Sequence, residues 1–332
     1  MIPQATGIGL YDRTAEAAAA EVIRHYSTSF GMAARLLGPR VRPHVRNIYA
    51  LVRVADEIVD GPGAESGMSD AQARAVLDDL ETETLAAVER GFSANLIVHA
   101  FARTARAAGI SADLVTPFFA SMRTDLTVTS HDSTSHETYV FGSAEVVGLM
   151  CLRAFVGVGQ TPPPEPPPRL VEGARRLGAA FQDVNFLRDQ HHDAGALGRD
   201  YLGIDGTALT RTDVLDRIDA DLAAAAAVIP DLPKDCRRAV TAAHDLFAEL
   251  SARLRRNDAE GRVRVPDPVK LALAARAVLG RAPGARQQAG GVGRSPAKGA
   301  RQQAGGVGRS PAKNSAQANP APAAEPHREA RA

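Results

Sequence analysis

The stretch YALVRVADEIVD, Tyr49 to Asp60, places Asp56, Glu57 and Asp60 at the polar end of an otherwise apolar helical run. Like charges on adjacent turns destabilise a helix, so this crowding calls for a counter-charge. Asp56 and Asp60 lie one turn apart, about 6 Å along the axis at 1.5 Å per residue, and Arg53 sits a turn before them. A second stretch, GAAFQDVNFLRDQHHDAGALGRDYLG, has the same design. Asn185, Asp189 and Asp193 follow at i, i+4 and i+8, stacked on one helical face beside Arg188.

Two readings fit such stripes. One is a solvated acidic face. The other is a cluster of Mg²⁺ ions gripping a diphosphate, because Mg²⁺ keeps several waters and takes one or two carboxylates plus phosphate oxygens. Paired stripes with matching arginines and apolar neighbours favour the second. A calcium loop starting at Asp56 fails, since its third position is Ile58 and its twelfth is Gly67. His191 and His192 have no His or Cys partner at zinc-ligand spacing and read as flanking residues.

The rest of the chain reads as helix. Apolar residues recur at three- and four-residue spacing through Ala15–Tyr26, Val45–Val59, Asp70–Arg90, Leu96–Ala108, Asp113–Leu126, Ala144–Val158, Leu170–His191, Val214–Ile229, Cys236–Leu254 and Pro268–Leu279. Alternating strand-like runs are hard to find, and no Gly-rich turn joins a strand-like run to a helix as nucleotide sites require. The reading is all-α. The proline-rich GQTPPPEPPPR, within a wider segment from Gly157 to Arg169, reads as an extended connector, because proline lacks the amide donor a helix needs. Acidic motifs on both sides of it argue for a single domain over residues 1–280.

With 332 residues and 45% apolar composition the chain can bury a sizeable core. Its net charge of +1 hides an asymmetry, for the segment from Arg281 carries nine Lys/Arg against two Glu, leaving a basic tail on an acidic body. There GARQQAGGVGRSPAK occurs at 284–298 and again unchanged at 299–313. Its only large aliphatic residues are Val292 and Val307, too few to order it, so 281–332 reads as a disordered, solvated appendage with no nucleic-acid partner. Cys151 and Cys236, the only cysteines, read as buried apolar residues in a reducing cytoplasm. No signal-peptide pattern opens the chain, and no run of 18 uncharged apolar residues suggests a membrane span.

In these motifs the chain resembles the squalene/phytoene synthase family, the head-to-head prenyltransferases of the all-α isoprenoid synthase fold. The resemblance runs from about Ala15 to Leu279. It rests on YSTSF (Tyr26–Phe30), YALVRVADEIVD, YVFGSAEVVG (Tyr139–Gly148), QDVNFLRDQHHD (Gln182–Asp193) and GRDYL (Gly198–Leu202), in that order.

The resemblance implies a helical bundle around a central apolar tunnel. It implies that Asp56, Asp60, Asn185, Asp189 and Asp193 bind Mg²⁺, with Mn²⁺ an alternative ion. Ser27, Ser29, Arg53, Gln182 and Arg188 would hold diphosphate, and Tyr49 and Tyr139 would line the site where carbocations form. Phe30, Ala34, Ser143 and Val147 would complete the substrate-binding surface. Arg53, Asp56, Asp60, Arg188 and Asp189, with the two tyrosines, would be catalytic. Gln190 and His192 depart from the family pattern, which has an apolar and then an acidic residue there, while the ligand positions are intact.

The implied reaction condenses two geranylgeranyl diphosphates through a cyclopropyl diphosphate to phytoene, in carotenoid biosynthesis, without NADPH. Gly31, Ala33 and Ala34 are small, leaving room for a C20 tail. The alternatives are a squalene or dehydrosqualene synthase using farnesyl diphosphate, and a non-catalytic helical protein that docks a basic partner. Long hydrocarbon substrates imply peripheral contact with the inner face of the membrane.

Overall fold

A computed structural model describes residues 6–27, 29–128, 131–196, 202, 210–256 and 263–280, with the backbone alone at 29, 133 and 190–196. These residues fall in one compact unit, Met1–Ala285. The repeated tail and its expected disorder lie outside the described residues.

The described chain is helical, without a strand. It runs through α1 (Ile8–Tyr26), α2 (Ser29–Arg35), α3 (Arg42–Val59), α4 (Pro62–Glu65), α5 (Asp70–Arg90), α6 (Leu96–Ala108) and α7 (Ala112–Thr124). It continues with α8 (Ser133–Val140), α9 (Val146–Gly157), α10 (Pro168–Ala196), α11 (Arg211–Val228), α12 (Lys234–Arg256) and α13 (Asp267–Val278).

Helix boundaries follow local chemistry. Ser69 and Gln72 form a reciprocal capping box at the start of α5, and Thr210 with Asp213 does the same for α11. Asn95 accepts the Ile97 and Val98 amides to open α6. Gly91 and Gly109, at φ 84° and 72°, end α5 and α6 in the left-handed conformation that glycine adopts without penalty.

Periodicity predicts ten helices; α2, α4 and α8 escape it. Two of these, α2 and α4, are only 7 and 4 residues long, too short for a repeating apolar stripe. The third, STSHETYV, is polar around most of its circumference and is held by an Asp132/Ser135 capping box. The segment from α8 to α9 also differs from the expected Ala144–Val158 helix. It runs continuously from Ser133 to Gly157 through a π-helical turn at Phe141–Glu145. By length and composition its part Thr134–Gly157 is apolar enough to cross a membrane. In this fold it packs on α3, α6, α7 and α10.

Glycine sets how closely α10 approaches this central helix. A Cβ on Gly148 would stand 2.7 Å from the Ala174 carbonyl oxygen, and one on Gly178 would stand 2.7 Å from that of Ala144. Ala144/Gly148 and Ala174/Gly178 are thus two i, i+4 small pairs crossing backbone to backbone. The π-helical turn is locked on its other side, where a Cβ on Gly142 would lie 2.3 Å from the Pro117 oxygen of α7.

Apolar burial follows the same frame. One cluster joins Ile48 and Leu51 of α3 to Phe101, Phe118, Phe119 and Met150. Another gathers Val184, Leu187, Ile218, Leu222 and Leu250 from α10, α11 and α12. A third binds α2 to α3, α9 and α12 through Ala34, Val45, Leu152 and Cys236. Burial pushes the Cys151 thiol up to about 12 and raises Cys236 as well, so both behave as inert apolar side chains.

Substituting Gly178→Ala should lower stability by about 1–3 kcal/mol, the usual penalty of overpacking a tight contact. Urea unfolding is the measurement, with a lowered midpoint and an unchanged slope as the outcome.

Candidate active site

The first acidic motif occupies the C-terminal half of α3. Arg53 reaches down the same helix, donating from Nη1 to Asp56 Oδ2 at 2.6 Å and from Nη2 to Glu57 Oε1. Its guanidinium lies 4.8 Å over the Tyr26 ring, a favourable cation–π placement. Asp60 follows as the C-cap, its amide bonded to the Asp56 carbonyl at 3.0 Å. Burial, reinforced by the neighbouring Asp60 charge and opposed by Arg53, raises the Asp56 carboxyl to about 6. The repulsion that the sequence suggests is therefore expressed in the fold.

Ser27 caps α1, and its Oγ accepts the Phe30 amide at 3.1 Å, which starts α2. Phe30 and Tyr49 stack with ring centroids 5.6 Å apart. Burial pushes the Tyr49 phenol above its ordinary value, with Arg53 and Ser27 pulling the other way. Ala34 is buried in the cluster that Phe30 and Tyr49 flank. The Ser29 side chain lies outside the described residues.

The second motif lies on α10. Arg188 grips Asp189 with two bonds, Nε to Oδ1 at 3.1 Å and Nη2 to Oδ2 at 2.6 Å. Gln182 and Asn185 are half-buried. Gly178, Gln182, Asn185 and Asp189 recur at +4, +7 and +11, so they share one helical face. Gly178 presses that face onto the π-helical turn, which aims the row towards the central helix. Since α3 also packs on α9, the central helix is flanked by both of the helices that carry the motifs. The side chains of Asp193, Gln190 and His192 lie outside the described residues.

The central helix contributes Ser143, whose Oγ is buried without a hydrogen-bond partner, and Val147, half-buried against the first core cluster. Tyr139 is anchored at both ends: its hydroxyl donates to Asp125 Oδ2 at 2.9 Å, and its carbonyl accepts from Ser121 Oγ at 3.1 Å. Asp125 and Ser121 belong to α7 and its C-cap, and no spacing motif in the sequence marks them. Glu57 and Tyr26 do sit in the quoted motifs, but their roles as partners of Arg53 emerge only from the fold.

Among the described residues, no three His, Cys, Asp or Glu side chains converge into a metal cluster. The donor set nevertheless suits Mg²⁺. Asp56, Asp60, Asn185 and Asp189 offer hard oxygen atoms, and the raised Asp56 carboxyl marks a place where added positive charge relieves repulsion.

A family model described as squalene/phytoene synthase matches residues 23–209. A 15-cis-phytoene synthase from Paracoccus sp. is 29% identical over 265 residues, 72% of this chain and 82% of that protein. A phytoene synthase from Pseudescherichia vulneris is 27% identical over 261 residues, 71% of this chain and 81% of that one. Among solved structures, a dehydrosqualene synthase superposes with a TM-score of 0.67 at 21% identity, covering 81% of this chain and 96% of its own. The squalene synthase HpnC from Alicyclobacillus acidocaldarius gives 0.62 at 19% identity, covering 76% and 96%. The architecture is that of the isoprenoid synthases.

An acid whose folded pKa is raised destabilises the fold when ionised, and that penalty vanishes at pH values below its unfolded pKa. In metal-free protein, Asp56→Asn should therefore raise the melting temperature above pH 6 and lose that advantage as pH falls towards 4. Thermal unfolding in EDTA across this range checks it.

Proposed function

Because the chain belongs to the squalene/phytoene synthase family, whose members transfer prenyl groups, we propose that it joins two geranylgeranyl diphosphates head to head to give phytoene. The observation that carries this reading is the match, over most of both chains, to bacterial phytoene synthases. Membership in a family of enzymes displaces the alternative of a docking protein.

The chemistry follows from the residues described. Arg53 and Arg188 hold permanent charge where a diphosphate must be gripped, and planar guanidinium groups bind phosphate oxygens in pairs. Asp56, Asp60, Asn185 and Asp189, joined by Asp193, are the ligands we assign to Mg²⁺. When bound, the ion would neutralise charge on the departing diphosphate. Gln182, Ser27 and Ser29 complete the polar end of the site, and Ser143 supplies a hydroxyl with no protein partner.

Ionisation of one substrate leaves an allylic cation, attacked by the double bond of the second. Loss of a proton closes a cyclopropyl diphosphate. Its ionisation, rearrangement and a second proton loss give the C40 product. Tyr49 stacked on Phe30 and Tyr139 held by Asp125 present aromatic faces to these cations. Val147 and the small residues Gly31, Ala33 and Ala34 line the proposed apolar tunnel with room for a C20 chain, and water is excluded from it. We assign the enzyme to the cytoplasm, resting against the inner membrane face that supplies its hydrocarbon substrates, with carotenoid formation as its role.

Purified protein given C15 or C20 diphosphates with Mg²⁺ and no nicotinamide should release a C40 hydrocarbon from the C20 donor; a C30 product in preference would replace this reading with that of a squalene or dehydrosqualene synthase. Asp189→Asn should cut kcat by about 10²–10³, the usual cost of one electrostatic element at such a site, with an unchanged circular dichroism spectrum.

A further inference from the structure

Helix α13 lies at the surface without a polar outer face. Its inner side is set by Val269 and Leu273, which pack on the core cluster of α10, α11 and α12, and by the buried Ala277, each one turn from the next. At 3.6 residues per turn the exposed residues Pro268, Leu271, Ala272, Ala275, Val278 and Leu279 gather on the opposite side. Leu271 is 62% exposed, and Leu279, the C-cap, 75%. Three of the eight large hydrophobic side chains exposed among the described residues fall between 271 and 279, so the exposure is concentrated here.

A helix with one side in water turns charged or polar groups outward, and a helix apolar all round is one that is covered all round. The charged residues of α13 are paired away from the strip. Lys270 Nζ lies 3.0 Å from Asp267 Oδ1, and Arg276 Nη2 lies 3.9 Å from Asp245 Oδ2 of α12. What the helix itself offers outward is therefore apolar surface without charge, and a contiguous exposed strip of that kind marks an interaction surface.

The sequence that continues from Gly280 decides what covers it. Residues 281–313 carry seven Lys/Arg and no Asp or Glu, and they begin two residues after Leu279. Their large aliphatic residues, Val292 and Val307, are too few to cover the strip themselves. A second copy seated on α13 would bring two such cationic segments together, and like charges repel. An anionic bilayer suits both features, because acyl chains accept the apolar strip and negative headgroups attract the adjoining cations. Either signal alone gives marginal binding, and the two together give stable attachment.

We propose that the outer face of α13 and the basic segment that follows it form the surface by which this protein docks on an anionic lipid bilayer. The contact rests on the reading that the enzyme works at the inner membrane face, and it deepens that reading by assigning the element that touches lipid and the headgroup charge it needs. None of the residues assigned to prenyl transfer lies on α13.

The chain has no tryptophan, so Leu271→Trp and, on α5, Val76→Trp each report one exposed position of the full chain. Vesicles of phosphatidylcholine with one quarter phosphatidylglycerol should shift the emission of Leu271→Trp to the blue and leave that of Val76→Trp in place. In co-sedimentation the unaltered chain should bind these vesicles at least about tenfold more tightly than phosphatidylcholine alone, a difference of about 1.4 kcal/mol. Replacing the seven cations of 281–313 by glutamine should weaken that binding at least about tenfold and leave phytoene formation from detergent-dispersed C20 diphosphate unchanged. Docking and prenyl transfer are thus read apart, and vesicle binding without any C40 product would refute the reaction and uphold the docking surface. No blue shift of Leu271→Trp with anionic vesicles overturns the proposal. So do an equal shift at Val76→Trp, equal affinity for phosphatidylcholine alone, and undiminished binding by the glutamine variant. An emission of Leu271→Trp already blue without vesicles and reddened by dilution, as a second copy on α13 would give, overturns it too.

Discussion

The contact on which the molecule depends is the backbone crossing between α10 and the central helix. Two pairs of small residues, Ala144 with Gly148 and Ala174 with Gly178, let carbonyl oxygens approach where any larger side chain would collide. Because glycine lacks a Cβ, the helices meet along a line too close for water or alternative rotamers. The face of α10 set down by Gly178 carries Gln182, Asn185 and Asp189 on its next three turns. Packing and chemistry are therefore properties of one face, and the crossing orients the acidic row.

Around that crossing, charge is neutralised by a network of arginines. Arg53 answers Asp56 and Glu57 on α3, and Arg188 answers Asp189 on α10. Behind the site, Arg217 of α11 reaches the almost fully buried Asp183 at 2.9 Å, and His136 of α8 lies 3.1 Å from the same carboxylate. A buried carboxylate deprived of its partner is strongly destabilising, so this cluster ties α8, α10 and α11 into one relative placement. Tyr139, three residues after His136, is held in turn by Asp125. The polar layer between the helices thus specifies geometry, and apolar clusters on either side supply the bulk of the burial.

Much of this was legible in the residues. Three- and four-residue periodicity locates the long helices because each turns an apolar stripe to the core. It fails for α2 and α4, too short to show a stripe, and for α8, whose sides are nearly all polar. The π-helical turn escapes it as well, since an extra residue in one turn leaves no compositional trace. In the site, acids at i, i+4 and arginines beside them stand out by spacing alone. The supporting residues do not: Asp125, Ser121 and Arg217 lie in different helices from the groups they hold.

By itself, the sequence determined which helix faces carry carboxylates and arginines, because residues one turn apart must share a side of a helix whatever surrounds it. It likewise determined that the chain would be helical, since its apolar residues keep the 3.6-residue period. Only the tertiary structure decided how far burial raises the Asp56 carboxyl, which side chain anchors Tyr139, and which cation meets the buried Asp183. Those outcomes depend on desolvation and on contacts between residues distant in the chain, and both arise when helices pack.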